Sequence, residues 1–80
     1  TLETHLSLGN LMRQKGEVNR AIRVHQNLVS KEQISAAQRE SALFELGRDY
    51  ILAGFLERAE NAFLHSHRAK GSVSKFINPW

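Results

Sequence analysis

Slid along itself by 38 residues, the chain places Leu8 over Leu46, Gly9 over Gly47, Gly16 over Gly54, Arg20 over Arg58 and Ala21 over Ala59. The pairs Met12/Tyr50, Val18/Leu56 and His25/Phe63 add positions of similar bulk. A repeat of this kind restricts the fold more than any local signal, because a unit that cannot bury its own apolar face must stack on its neighbour. The 80 residues hold two such units, and a chain this short buries too little surface for generous stability without a partner or a second copy.

Within each unit the apolar residues recur at helical spacing. Leu2, Leu8, Leu11 and Met12 predict a first helix over 1–15 with Gly9 as a small contact point. Gly16 interrupts that pattern, and Val18, Ala21, Ile22, Val24, His25, Leu28 and Val29 predict a second helix ending near Lys31. The short turn between them makes the pair an antiparallel hairpin. Ser30 and Ser35 each precede a glutamine by three residues, the capping-box spacing. Ser35 is the better cap because Ala36 and Ala37 follow it. A third helix is then expected over 36–52, with Leu43, Leu46, Tyr50, Ala42 and Gly47 inward, and a fourth after Gly54 carrying Leu56, Ala59, Ala62 and Phe63. Glycine inside a helix costs about 1 kcal/mol relative to alanine. Gly9 and Gly47 are therefore expected to admit a close neighbour, for which Ala21 and Ala59 are the simplest candidates.

Composition narrows the functional classes. The chain has no cysteine, which removes disulfides, thiolate zinc sites and cysteine nucleophiles and favours the cytoplasm. Its longest apolar stretch, Tyr50 to Leu56, covers seven residues against about 20 for a bilayer. No secretory signal precedes Thr1, and a chain opening on threonine reads as an excised piece. The net charge of +3 belongs to Arg68, Lys70 and Lys75, since residues 1–64 carry eight Lys/Arg and eight Asp/Glu. A body so balanced makes no broad basic face, so nucleic acid is not expected as a partner.

The run Leu46-Gly47-Arg48-Asp49-Tyr50, the turn glycine Gly54, and Ala59 with Phe63 resemble a tetratricopeptide repeat. The first unit keeps Leu8, Gly9, Gly16 and Ala21, with Met12 and His25 where tyrosine and phenylalanine are common. The usual period is about 34 residues, so the extra residues fall in the connection around Lys31 to Ser35. More specifically, Leu8-Gly9-Asn10-Leu11, the run from Gly16 to Gln26, Gln38-Arg39 and Glu45 to Tyr50 resemble the first cytoplasmic repeats of the lipopolysaccharide assembly protein B family, over roughly residues 2–64. That resemblance implies a cytoplasmic adaptor, tethered to the inner membrane by a preceding anchor, which helps a membrane protease degrade an enzyme of lipid A synthesis. The family's anchor and its metal domain have no counterpart here, so membrane contact is expected only through an anchor outside this chain, and no cofactor is expected.

Chemistry-bearing clusters are sparse. His65 and His67 lie at i, i+2, which on a helix points them to different sides, and a metal there is disfavoured. His25 falls on the apolar stripe where Phe63 falls in the second unit, which predicts a packed, hydrogen-bonded core group. Glu45 and Asp49 stand at i, i+4 on one helix, and a solvated face is expected of them rather than an acid/base pair. With no nucleophile elbow and no phosphate-binding glycine loop, an enzyme is not expected.

These readings combine into an all-α fold of two tetratricopeptide-type helical hairpins, about 2–33 and 35–67, with an atypical tail over 68–80. The expected function is protein binding. Tetratricopeptide arrays bind on the face lined by the first helix of each hairpin, which puts Leu6, Asn10 and Arg13, then Phe44, Arg48 and Ile51, on the partner-binding surface. An apolar strip flanked by arginine suits an extended peptide or an amphipathic helix. The partner is a client or a protease-adaptor component. In the alternative reading the chain is a self-association element whose surfaces pair with other copies, Phe76, Ile77 and Trp80 of the tail closing the open end of the array within one chain or across a homodimer.

Overall fold

Thr1 opens the first helix, its hydroxyl accepting from the Thr4 backbone N–H at 3.1 Å. The computed structural model describes residues 1–69, which form α1 (Leu2–Gln14), α2 (Val18–Val29), α3 (Ala36–Ala53) and α4 (Leu56–Ala69). Phe76, Ile77 and Trp80, expected to close the open end, lie outside the described residues. The architecture is all-α, two helical hairpins side by side, with α3 packed against both α2 and α4 and touching α1 along a shorter stretch.

The two hairpin turns are copies of each other at atomic detail. Gly16 and Gly54 both adopt φ 88°, a left-handed conformation that costs any residue with a Cβ. The Glu17 N–H then reaches the Met12 carbonyl at 2.9 Å, and its counterpart at Phe55 reaches Tyr50 at 2.8 Å. This six-to-one closure satisfies carbonyls that a helix end leaves bare.

The connection between hairpins is longer and is held differently. Ser35 and Gln38 form the expected reciprocal capping box, each bond 3.0 Å. Ser30 does not form the second one, because its hydroxyl turns back to the Asn27 carbonyl at 2.9 Å. Arg39 reaches across from α3 to donate to the Val29 and Lys31 carbonyls, closing the end of α2.

The core gathers Ile22, Leu46, Tyr50, Ala59 and Ala62, with Val18, Val29, Ala53 and Phe63 packed on it. The inward stripe expected of α3 is buried as a whole: Ala42, Leu43, Leu46, Gly47 and Tyr50. Gly9 and Gly47 do meet close neighbours, but the expected contacts with Ala21 and Ala59 give way to the aromatic rings one turn further on. A Cβ on Gly9 would lie 2.4 Å from His25 Nε2, and one on Gly47 would lie 2.6 Å from Phe63 Cε1. Each glycine leaves room for an aromatic ring against the helix, where a Cβ would clash.

The apolar residues of α1 depart from expectation, since Leu8 is 41% and Leu11 48% exposed. Their equivalents on α3, Leu46 and Asp49, are buried because α2 covers them. Among the described residues α1 has no such neighbour on that side.

Candidate functional site

The joint between the hairpins contains a buried cluster of charged and polar groups drawn from three helices. His25 on α2 and Asp49 on α3 are both fully buried and hydrogen-bonded to each other, from His25 Nδ1 to Asp49 Oδ2. A carboxylate only accepts, so Nδ1 carries the proton. The other carboxylate oxygen of Asp49 accepts from Arg13 of α1 at 3.0 Å, and the same guanidinium pairs with Glu45 at 3.0 Å. His25 Nε2 lies 3.3 Å from the Leu6 carbonyl, and Gln26 donates to the Tyr50 hydroxyl at 2.8 Å. Desolvated charges persist where they are paired and hydrogen-bonded. This cluster ties α1, α2 and α3 into one register.

The expectation of a packed, hydrogen-bonded His25 holds. The solvated face expected of Glu45 and Asp49 does not: Asp49 has no exposed surface, and the Glu45 side chain is 17% exposed. Their spacing is that of an exposed acid pair, but α1 and α2 bring a guanidinium and an imidazole to meet it.

Of the six residues placed on the binding surface, Leu6 and Asn10 are half-buried on α1. The Arg13 side chain is 11% exposed, and its guanidinium is engaged within the chain. Phe44, Arg48 and Ile51 lie at i, i+4 and i+7 on α3 and are all about half exposed. The Arg48 guanidinium lies 6.0 Å above the Phe44 ring and 3.5 Å from Glu45. Phe44 in turn tilts against Phe63 with ring centroids 5.6 Å apart. The structure therefore leaves the exposed part of the expected surface on α3, with its α1 residues largely covered. Arg13 and Arg48 converge only through Glu45, which both approach.

A second apolar surface lies at the far side of the second hairpin. It is an open groove of about 560 Å³ lined by Ile51, Leu56, Ala59, Phe63 and Leu64, with Glu57 and Glu60 on its edge. Among the described residues Leu56, at 66% exposure, is the most open of the large apolar ones. Among the described residues no helix is long and apolar enough to cross a membrane, and no group of three potential metal ligands comes together.

No protein-family profile matches the chain. Lipopolysaccharide assembly protein B of Escherichia coli strain K12 is 52% identical to it over 63 residues, 79% of this chain. The chain is homologous to a segment of that protein. The protein of the same name from Haemophilus influenzae is 44% identical over 62 residues, 78% of the chain. In each case the match takes in 16% of the length of lipopolysaccharide assembly protein B, so the chain spans about a sixth of the relatives it matches. The resemblance carried by the leucine-glycine runs and by the segment from Gly16 to Gln26 is thereby borne out.

The buried joint is what the sequence reading missed. Its signal was available in the repeat alignment. His25 replaces Phe63, Arg13 replaces Ile51 and Asp49 replaces Leu11 at equivalent positions. Three polar residues at positions that are apolar in the other unit call for one another as partners.

Proposed function

We propose that the chain is a non-enzymatic protein-binding segment acting in lipopolysaccharide assembly, as part of a cytoplasmic adaptor that holds a client for a membrane protease. The observation that carries this reading is the 52% identity to lipopolysaccharide assembly protein B over most of the chain. Two features of the fold support it. The buried titratable cluster has its charges paired with one another, and neither His25 nor Asp49 has any surface at which a substrate would meet it. The exposed residues with binding chemistry lie on α3, a helix held from both sides, where Phe44 offers an apolar face and Arg48 a directional donor. Such a stripe positions a peptide or an amphipathic helix without acting on it.

A segment exchange tests the proposal. The matching residues of the Escherichia coli protein are replaced by those of this chain in cells that depend on that copy, and growth and lipopolysaccharide content are followed. The exchanged protein should sustain both. A version carrying Phe44→Ser and Arg48→Ala should reach the same cellular level and fail. Failure of the unmodified exchange, at normal abundance, refutes the reading.

A further inference from the structure

The internal joint supplies a template for the two outer faces of the described helices. There, α3 meets a face that includes Arg13, Val18, Ile22, His25 and Gln26: Arg13 and His25 bind Asp49, Gln26 binds Tyr50, and Ile22 and Val18 share the cluster of Leu46 and Tyr50. Advanced by one 38-residue period, those five positions become Ile51, Leu56, Glu60, Phe63 and Leu64. All five line the open groove on the second hairpin. The groove is the second unit's copy of the surface that α3 occupies on the first.

The complementary half lies at the other end of the molecule. The α3 residues Leu46, Asp49 and Tyr50 that fill the joint have Leu8, Leu11 and Met12 as their equivalents on α1. Leu8 and Leu11 are exposed and Met12 half-buried. The two ends also differ from the joint in a matched way. Where Asp49 meets Arg13 and His25 inside, Leu11 would meet Ile51 and Phe63 outside, so a carboxylate, a guanidinium and an imidazole are exchanged together for three apolar groups. Lys15, at the end of α1, takes the Ala53 position, which packs on the cluster containing Ile22. Glu60, which lines the groove, takes the Ile22 position, so the two outer faces also bring charges of opposite sign.

We infer that copies of this chain associate head to tail, α1 of one copy lying in the α3–α4 groove of the next as α3 lies against α1 and α2 within a chain. This goes beyond the client-binding proposal and uses the α3–α4 groove, which adjoins the α3 stripe at Ile51. The contact is heterologous, so each added copy leaves a fresh groove at one end and a fresh α1 at the other.

The test is solution mass by light scattering over a concentration range, on the full 80-residue chain. The mass should climb with concentration past that of a dimer. Leu11→Asp blocks the α1 end and Leu56→Asp the groove end. Both side chains are exposed, and far-UV circular dichroism checks that helicity is retained. Each variant alone should stay monomeric, and an equal mixture should give a one-to-one dimer and nothing larger, because each variant keeps one intact end. Leu8→Asp and Leu64→Asp form a second pair, so that loss of fold in one variant does not decide the outcome. A wild-type chain that is monomeric throughout overturns the inference. Association abolished by only one substitution, or by neither, also overturns it, the former showing that one face pairs with its own copy.

Discussion

Gly9→Ala is the sharpest probe of the joint. Alanine raises intrinsic helix stability by about 1 kcal/mol, so a glycine with no packing role would gain by the change. Here the new Cβ would lie 2.4 Å from His25 Nε2 and 2.8 Å from two ring carbons, far inside van der Waals contact. The ring cannot step aside freely, because it is fully buried and bonded to Asp49. Relieving the clash strains the core by about 1–3 kcal/mol and loosens a hydrogen bond to a buried carboxylate, a further 1.5–3 kcal/mol or so. Set against the helix gain, the net loss is about 3 kcal/mol, which lowers Tm by roughly 12–24 °C in a domain of this size. Gly47→Ala is the internal control. Its Cβ would meet Phe63 at 2.6 Å, but Phe63 is only partly buried and its ring makes no hydrogen bond, so the loss should be nearer 1 kcal/mol. Urea unfolding followed by circular dichroism, at a concentration low enough to avoid association, reads both. The sign should reverse when His25→Ala removes the ring: in that background Gly9→Ala should stabilise by about 1 kcal/mol. A Gly9→Ala chain as stable as the parent, or a loss that persists without the ring, refutes the reasoning.

Three further substitutions are read by the same measurement. Asp49→Ala leaves Arg13 and His25 buried without their shared partner and should cost about 3–5 kcal/mol, a large share of the roughly 4–12 kcal/mol expected for a chain of this length. Arg48→Ala removes an exposed cation from the same helix and should shift stability by no more than about 0.5 kcal/mol. Ser35→Ala deletes the capping box at the start of α3 and should cost about 1 kcal/mol, an effect that vanishes if the connection rather than the cap sets where α3 begins.

The features legible in the sequence were those with a local cause. Ser35 and Gln38 satisfy each other three residues apart, and Gly16 and Gly54 allow a backbone conformation that residues with a Cβ resist. The stripe of α3 follows from periodicity alone. What escaped depends on residues far apart in the chain. An acid pair at Glu45 and Asp49 is solvated on most helices, and only the arrival of Arg13, 36 residues before Asp49, makes burial tolerable. Arg13 itself reads as an exposed binding residue for the same reason. On α1, periodicity identifies Leu8 and Leu11 as one apolar face but not whether a neighbour covers it, because the neighbour is supplied by stacking and not by the helix.

The division of charge across the joint also bears on the order in which the chain is made. The first hairpin to leave the ribosome carries Arg13 and His25, and both acids that answer them arrive later on a single helix. Until α3 emerges, the nascent hairpin keeps its cation hydrated and its imidazole without a carboxylate. Once α3 forms, Glu45 and Asp49 come as a rigid pair at fixed spacing, so the joint closes as one event. The two hairpins should therefore fold as a unit despite their repeated design.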